Sequence, residues 1–401
     1  MGKVKLIRWP RLALGVMVLL FAGLIYAWSI LKTPFEEYWD PTQLGLNFTL
    51  MVIFFCLGGL ISGLMSKKTS AALRLSISAV LLFSGFFISS RLGGGSIIPL
   101  YFAYGVLGGV GIGFAFNTVI SVTNAWFPDK QGLSSGILLM SFGMSTFVIG
   151  NLANILGESE AIGWRNTYVI LAVSMALILA VAAVFVRLPP HDTVFPTPKS
   201  AKKALIAEGV RDYSSLEMIK RPSFYKIFAY DTVLAAPGFA AIFAAKDIMT
   251  DVNAPQLAVI VASLLAVFNG LGRLVCGWLF DNLGIRKTQF ISSSLNILAP
   301  LTVVFGIMAA SIPICFAGVC LCGFTYGFTP TTGSVFVARF YGLKNYPLNY
   351  SLINMILIPA PFAATLAGWI KDSTGSFLTA FIILTATSMV GFLVNLSIKK
   401  P

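Results

Sequence analysis

Long apolar runs joined by short polar connections dominate this chain of 401 residues. Runs of spanning length fall at about 11–31, 43–65, 69–90, 97–121, 135–156, 165–186, 223–245, 256–280, 288–309, 312–338, 350–370 and 376–397. Each is close to the roughly twenty residues an α-helix needs to cross a bilayer. A lipid-embedded backbone must satisfy its own hydrogen bonds, so helices are the expected element. Twelve spans put both termini on one side. One polar connection, 188–222, is long and divides the chain into segments 1–187 and 223–401, with six spans each. It opens on Pro189, Pro190, Pro196 and Pro198 and then turns basic. Near its end Ser214 and Glu217 have capping-box spacing, which predicts a short surface helix before the seventh span.

Composition sharpens this pattern. The chain is 57% hydrophobic and 11% charged, against about 25% charged for a soluble domain. Too little polar surface exists to cover a soluble particle, and the chain is expected to be an all-α polytopic membrane protein. Its 37 glycines and 19 prolines suit close-packed and broken membrane helices. The net charge of +13 does not indicate nucleic acid, because the cations gather at span ends. Lys67, Lys68, Arg74, Lys130, Arg187, Lys220, Arg221, Arg286, Lys287, Arg339, Lys399 and Lys400 belong to one set of connections, as do Lys3, Lys5, Arg8 and Arg11. The opposite set holds Lys32, Arg91, Arg165, Lys246 and Lys371. The first set and both termini are therefore expected in the cytoplasm, with the protein in the cytoplasmic (inner) membrane. The basic N-terminus precedes a run of spanning length without a small-residue cleavage site, so no cleavable signal is expected. Cys56, Cys276, Cys315, Cys320 and Cys322 lie in apolar runs and are expected as buried free thiols. His191 is expected as a solvated linker residue. No metal, cofactor or catalytic constellation is expected.

The halves echo each other. Pro41, Gly63, Gly113 and Lys130 correspond to Pro255, Gly277, Gly327 and Lys344, all at an offset of 214. A constant offset through loops and helices implies two pseudo-symmetric six-helix bundles made by duplication, with a site at their interface.

Candidate chemistry centres on Arg273, which sits in an apolar run without an acidic neighbour in sequence. A guanidinium in hydrocarbon costs about 2.5–3.5 kcal/mol or more, so it is expected to face a cavity or a partner. Its planar donors suit a carboxylate, and Asn269, four residues earlier, shares its helix face. Asn117 and Asn354 are further polar candidates inside spans. Asp231 in the seventh span lies at a depth similar to that of Arg273, about 12–13 Å at 1.5 Å per residue. The two are expected to pair when no anion is bound, which would couple a proton to an anion.

Gly277, Asp281, Gly284, Arg286 and Lys287 resemble the signature loop of the major facilitator superfamily. The resemblance implies the twelve-helix fold in two bundles and a gating role for Asp281 and Arg286. The first-half copy, Gly63 to Lys68, lacks the aspartate. A narrower resemblance, to the oxalate/formate antiporter family and the related monocarboxylate transporters, rests on four groups. These are Gly23, Tyr26, Trp28 and Pro34; the run Trp126, Phe127, Pro128, Asp129, Lys130 and Gly132; Phe268, Asn269, Gly270 and Arg273; and Asn345 with Tyr346. It implies Arg273 as the substrate arginine and Tyr26 and Tyr326 as binding aromatics. Phe116 and Phe328 fall on helices that line the cavity in the superfamily. Oxalate exchangers resemble one another in a lysine of the eleventh helix, and Ile353 stands there with Asn354 beside it. One cation suits a monoanion.

A membrane enzyme would need a nucleophile–base or metal constellation, a sensor a soluble signalling domain, and a channel a filter. None is apparent. The expected function is secondary transport of a small monocarboxylate such as lactate, pyruvate or formate by alternating access, coupled to protons. Oxalate/formate-type exchange is the alternative. The expected partners are a small organic anion, protons and membrane lipid, not nucleic acid, and the expected functional unit is a monomer.

Overall fold

Apolar helices account for nearly all of the chain in the computed structural model, which describes residues 2–190, 193, 195 and 211–401. Among the described residues, eleven helical stretches are long and apolar enough to cross a membrane. The longest, Ala258–Met308, is two spans, because Gly284 leaves helical geometry at φ 78°, ψ 179°. That left-handed φ suits a residue without a Cβ. Twelve spans result. They are α1 (Ile7–Ala27), α2 (Gln43–Met65), α3 (Ala71–Ser89), α4 (Ile98–Asn124), α5 (Gln131–Glu158), α6 (Gly163–Phe185) and α7 (Pro222–Asp251). After these come α8 (258–283), α9 (285–308), α10 (Ile312–Tyr341), α11 (Tyr346–Lys371) and α12 (Leu378–Leu396). No strand occurs among the described residues. The protein is a multi-pass membrane protein.

Of the linker, His191, Pro196, Pro198, Lys199, Lys202 and Lys203 lie outside the described residues, as do the side chains of Lys3 and Lys5. The short helix forms over Ser215–Ile219. The Glu217 backbone N–H donates to Ser214 Oγ and the Ser214 backbone N–H to Glu217 Oε2, so the capping box closes both ways. The bond from the Ser214 backbone, ahead of its hydroxyl and the Arg211 guanidinium, holds the Glu217 carboxyl below its usual range.

By contacts the chain forms two compact units. One comprises Met1–Asp129, Ser141–Gly209 and Asn345–Leu352; the other Lys130–Met140, Val210–Lys344 and Ile353–Pro401. Within the first unit, α2 and α4 approach so closely that a Cβ on Gly113 would strike the Phe55 carbonyl and Gly59 N. Within the second, α8 and α10 do the same: a Cβ on Gly327 would strike the Asn269 carbonyl and Arg273 N. Adding 214 to each first-unit number gives its second-unit counterpart. Gly109 against Met51 and Gly323 against Leu265 repeat the relation. The duplication is thus written in backbone contact as well as in sequence, and Arg273 occupies the place held in the first unit by Gly59.

Four spans depart from regular α geometry. In α1, Gly23–Ala27 is a 3-10 turn. Residues Tyr101–Gly108 of α4 and Thr146–Gly150 of α5 are π-helical. The expected continuous span 350–370 is broken: Tyr346–Asn354 and Phe362–Thr374 are separate helices. Pro359 and Pro361 between them explain the break, because each removes a backbone donor.

Candidate functional site

Arg273 lies in α8, 2% exposed. Neutral groups hold it. Its Nε donates to Asn269 Oδ1 at 2.9 Å, and its Nη1 donates to the Leu139 carbonyl at 2.6 Å. The first bond follows from helical phase, since positions i and i+4 sit one above the other. The Leu139 carbonyl belongs to α5, four residues before the regular α-helical part of that span ends at Gly143. Thr331 Oγ1 donates to the Arg273 carbonyl at 3.2 Å, which fixes the backbone beneath the guanidinium. Among the described residues no carboxylate pairs with Arg273.

The expected Asp231–Arg273 pair is not formed. Asp231 in α7 is fully buried, and neither carboxylate oxygen has a hydrogen-bond partner. Its side chain is directed at α10, where a Cβ on Gly333 would stand 3.0 Å from Oδ2. Similar depth in two helices does not fix azimuth, and here the side chains point to different neighbours. An ionised carboxylate without a partner is costly to bury.

The other expected residues of this unit make contacts of their own. Tyr326 is buried against Phe239, ring centroids 4.7 Å apart, with α7 brought close at Gly238. Phe328 stacks obliquely on Phe324 at 5.2 Å and is fully buried. Asn354 is half-buried and ends the first helix of the broken α11. Asp281 accepts from the backbone N–H groups of Gly132 and Leu133, at 3.1 and 2.7 Å. It thereby caps the helix that opens at Gln131. Its ionic partner is Arg339 at 2.9 Å, and the Arg286 side chain is exposed without an ion pair among the described residues.

The first unit gathers three of the expected residues. Tyr26 and Phe116 both lie edge-on or tilted to Phe142, at 5.5 and 4.8 Å. Phe55 and Tyr350 extend this aromatic cluster. Asn117, 1% exposed, donates through Nδ2 to the Pro347 carbonyl and to Ser351 Oγ, both at 2.7 Å. Its Oδ1 has no partner. Ser351 in turn donates to the Gly59 carbonyl at 2.7 Å. A second buried guanidinium, Arg74, donates to the Ser62 carbonyl at 3.4 Å and leaves Nε unpartnered.

Several of these groups escaped the sequence. Leu139 contributes a backbone carbonyl, which no side-chain pattern reveals. Phe142, Ser351 and Tyr350 carry no charge anomaly, and Arg339 and Arg74 looked like loop cations. The run from Trp126 to Lys130 acquires a structural meaning. Trp126 Nε1 donates to the Arg187 carbonyl at 2.7 Å, and the Arg11 guanidinium stands 4.2 Å over the indole. Arg8 and Asp129 form a buried ion pair at 2.7 Å, with Phe127 beneath the guanidinium.

Comparison with known proteins agrees with this architecture. Residues 12–358 match the family model of the Major Facilitator Superfamily. The oxalate:formate antiporter of Oxalobacter formigenes is 24% identical over 402 residues, covering 96% of this chain and 90% of that protein. An uncharacterized MFS-type transporter of Escherichia coli K12, YhjX, is 24% identical over 353 residues, 86% of this chain and 84% of its own length. Monocarboxylate transporter 10 of Danio rerio is 25% identical over 360 residues, with coverages of 86% and 66%. Among solved structures, the transporter FucP in its outward conformation aligns with a TM-score of 0.72 at 14% identity, over 97% of this chain and 99% of FucP. The proton:xylose symporter XylE aligns with a TM-score of 0.70 at 13% identity, over 99% and 97%. At these identities the structural likeness speaks to fold.

Proposed function

The chain belongs to the Major Facilitator Superfamily, and from that premise we propose that it is a secondary carrier of a small monocarboxylate, coupled to protons. The observation that carries the reading is the guanidinium of Arg273, buried and held by an amide and a carbonyl, with no carboxylate partner among the described residues. Two neutral acceptors orient the group without neutralising it. An incoming carboxylate would supply the missing charge through charge-assisted hydrogen bonds, which are stronger than those to neutral acceptors. The first-unit counterpart, Gly59, supports a functional origin for the charge, because the same helix–helix contact forms there without it.

The reading assigns Arg273 to the substrate carboxylate and Asn269 to its alignment. Tyr26, Phe116, Asn117, Tyr326, Phe328 and Asn354 line the route or the bound molecule. Asp231 carries the proton; its burial without partners suits an acid that is neutral here and ionises when solvent reaches it. Asp281, with Arg339 and Arg286 near the same helix ends, takes the gating role. Two six-helix bundles, 1–187 and 223–401, would move about the anion in alternating access. Both termini would face the cytoplasm of an inner membrane, and the working unit would be a monomer.

A second reading, exchange of oxalate and formate, is favoured by the antiporter relative that covers 96% of the chain. Against it stands Ile353, buried and apolar, at the place where the resemblance puts a second cation.

Uptake of labelled lactate, pyruvate, formate and oxalate into proteoliposomes, with and without an imposed pH gradient, separates the two. Gradient-driven uptake of monocarboxylates is the expected result. Oxalate exchange indifferent to the gradient would install the second reading. Arg273→Lys should lose more than nine-tenths of transport while inserting normally, because the planar fork is gone. Wild-type rates in that variant would overturn the assignment of Arg273.

A further inference from the structure

We propose that one end of α7 and α12 forms a binding site for an anionic phospholipid headgroup. A cavity of about 540 Å³ lies there, lined by Arg221, Lys226, Lys399 and Lys400 together with Ser223 and Ser397. Four cationic residues line the space, and among the described residues no acidic side chain does; the Ser223 hydroxyl pairs with the Tyr341 hydroxyl at 2.8 Å and the Ser397 hydroxyl donates to the Val394 carbonyl at 2.7 Å. The nearest acid in the preceding helix, Glu217, is occupied by Arg211 at 2.8 Å. Lys226 Nζ donates to the Ser397 carbonyl at 3.1 Å, which ties the two helix ends together across the cavity. The positive end of α7 begins at Pro222, on the cavity wall, and adds to the field that favours an anion.

The surroundings select a lipid over a soluble anion. Leu393 and Leu396, just before Ser397, are 65% and 60% exposed, and Tyr225, beside Lys226, is 58% exposed. Leu216 on the short helix ahead of α7 is 74% exposed. A basic cavity adjoining an exposed apolar wall at the end of two spans matches a phosphate headgroup with acyl chains beside it. Cations of this kind contribute about 1 kcal/mol each toward an anionic surface, which is about fivefold per charge. This inference is independent of the cargo assigned to Arg273.

The test uses the full chain in detergent, with native mass spectrometry reading retained lipid. Phosphatidylglycerol, phosphatidylcholine and inorganic phosphate are the three probes. The expected result is retention of phosphatidylglycerol over phosphatidylcholine, no displacement by millimolar phosphate, and about fivefold weaker retention per cation removed in Arg221→Gln, Lys226→Gln, Lys399→Gln and Lys400→Gln. Lys399→Gln with Lys400→Gln alters exposed positions beyond the last helix, so its effect does not depend on folding. Lys67→Gln with Lys68→Gln, exposed cations elsewhere, should leave retention unchanged. Three results would overturn the proposal: undiminished retention in the four-fold variant, equal loss in the Lys67 and Lys68 control, or competition by inorganic phosphate.

Discussion

A single charge in an apolar run was the most legible feature of the chain, and the structure buries Arg273 with its guanidinium held by two neutral acceptors. Sequence spacing also placed Asn269 on the same face, and the structure turns its amide oxygen toward Nε. Asn269→Ala removes a hydrogen bond to a charged group, a loss of about 1.5–3 kcal/mol. Half-saturation for the transported anion should therefore rise about tenfold or more with protein yield unchanged, as measured by initial uptake rates across substrate concentrations. Asp231→Asn keeps the shape and removes the titrating proton. Uptake in that variant should no longer follow the pH gradient, while exchange between labelled and unlabelled substrate continues; persistent gradient dependence would dismiss Asp231 from the cycle. What the sequence could not supply was azimuth. Depth along a helix follows from residue count, but whether Asp231 faces Arg273 or Gly333 depends on helix rotation, and it faces Gly333. The Leu139 carbonyl was equally invisible, since every residue owns one.

Among the elements, hydropathy located the twelve spans, and Gly284 marked the boundary of the longest run. The irregular segments were harder to see. Gly23–Ala27, Tyr101–Gly108 and Thr146–Gly150 are as apolar as regular helix. A 3-10 or π turn differs from α in hydrogen-bond partner and not in composition. The break in α11 did have a signal in Pro359 and Pro361, which the continuous run of apolar residues masked. Close helix contacts were legible through the repeat. Gly327 sits at the α8–α10 crossing, directly against the backbone of Asn269 and Arg273. Gly327→Val should force these helices apart at a cost of about 1–3 kcal/mol or more. A lower unfolding temperature in detergent, together with lost transport, is the expected outcome. The same exchange at Gly113 should destabilise comparably, because its contacts are the counterpart set.

For the whole molecule, the even number of spans and the distribution of lysine and arginine give an orientation open to direct measurement. All five cysteines are free and buried, so background labelling by a membrane-impermeant maleimide should be low. Lys68→Cys should react from the cytoplasmic face and Gly94→Cys from the opposite face in intact cells; the reverse pattern would invert the topology. The repeat explains why the close helix crossings were readable: the contacts of Gly109 and Gly113 recur at Gly323 and Gly327, at an offset of 214. It also explains what was not, since the residues that break the symmetry, Arg273 opposite Gly59 above all, are those a repeat cannot foretell.

Arg273 and Asp231 lie in one unit, a fixed positive group and an acid able to lose its proton. Loaded, the carrier would hold a cation, an anion and a neutral acid. Emptied of both cargoes, it would hold a cation and a carboxylate. The two sums are equal, so neither half of the cycle moves net charge through the bilayer. Voltage, worth about 2.3 kcal/mol per charge at 100 mV, would then have nothing to pull on. A potassium diffusion potential set with valinomycin should leave the uptake rate unaltered, whereas a proton gradient of the same energy should drive it.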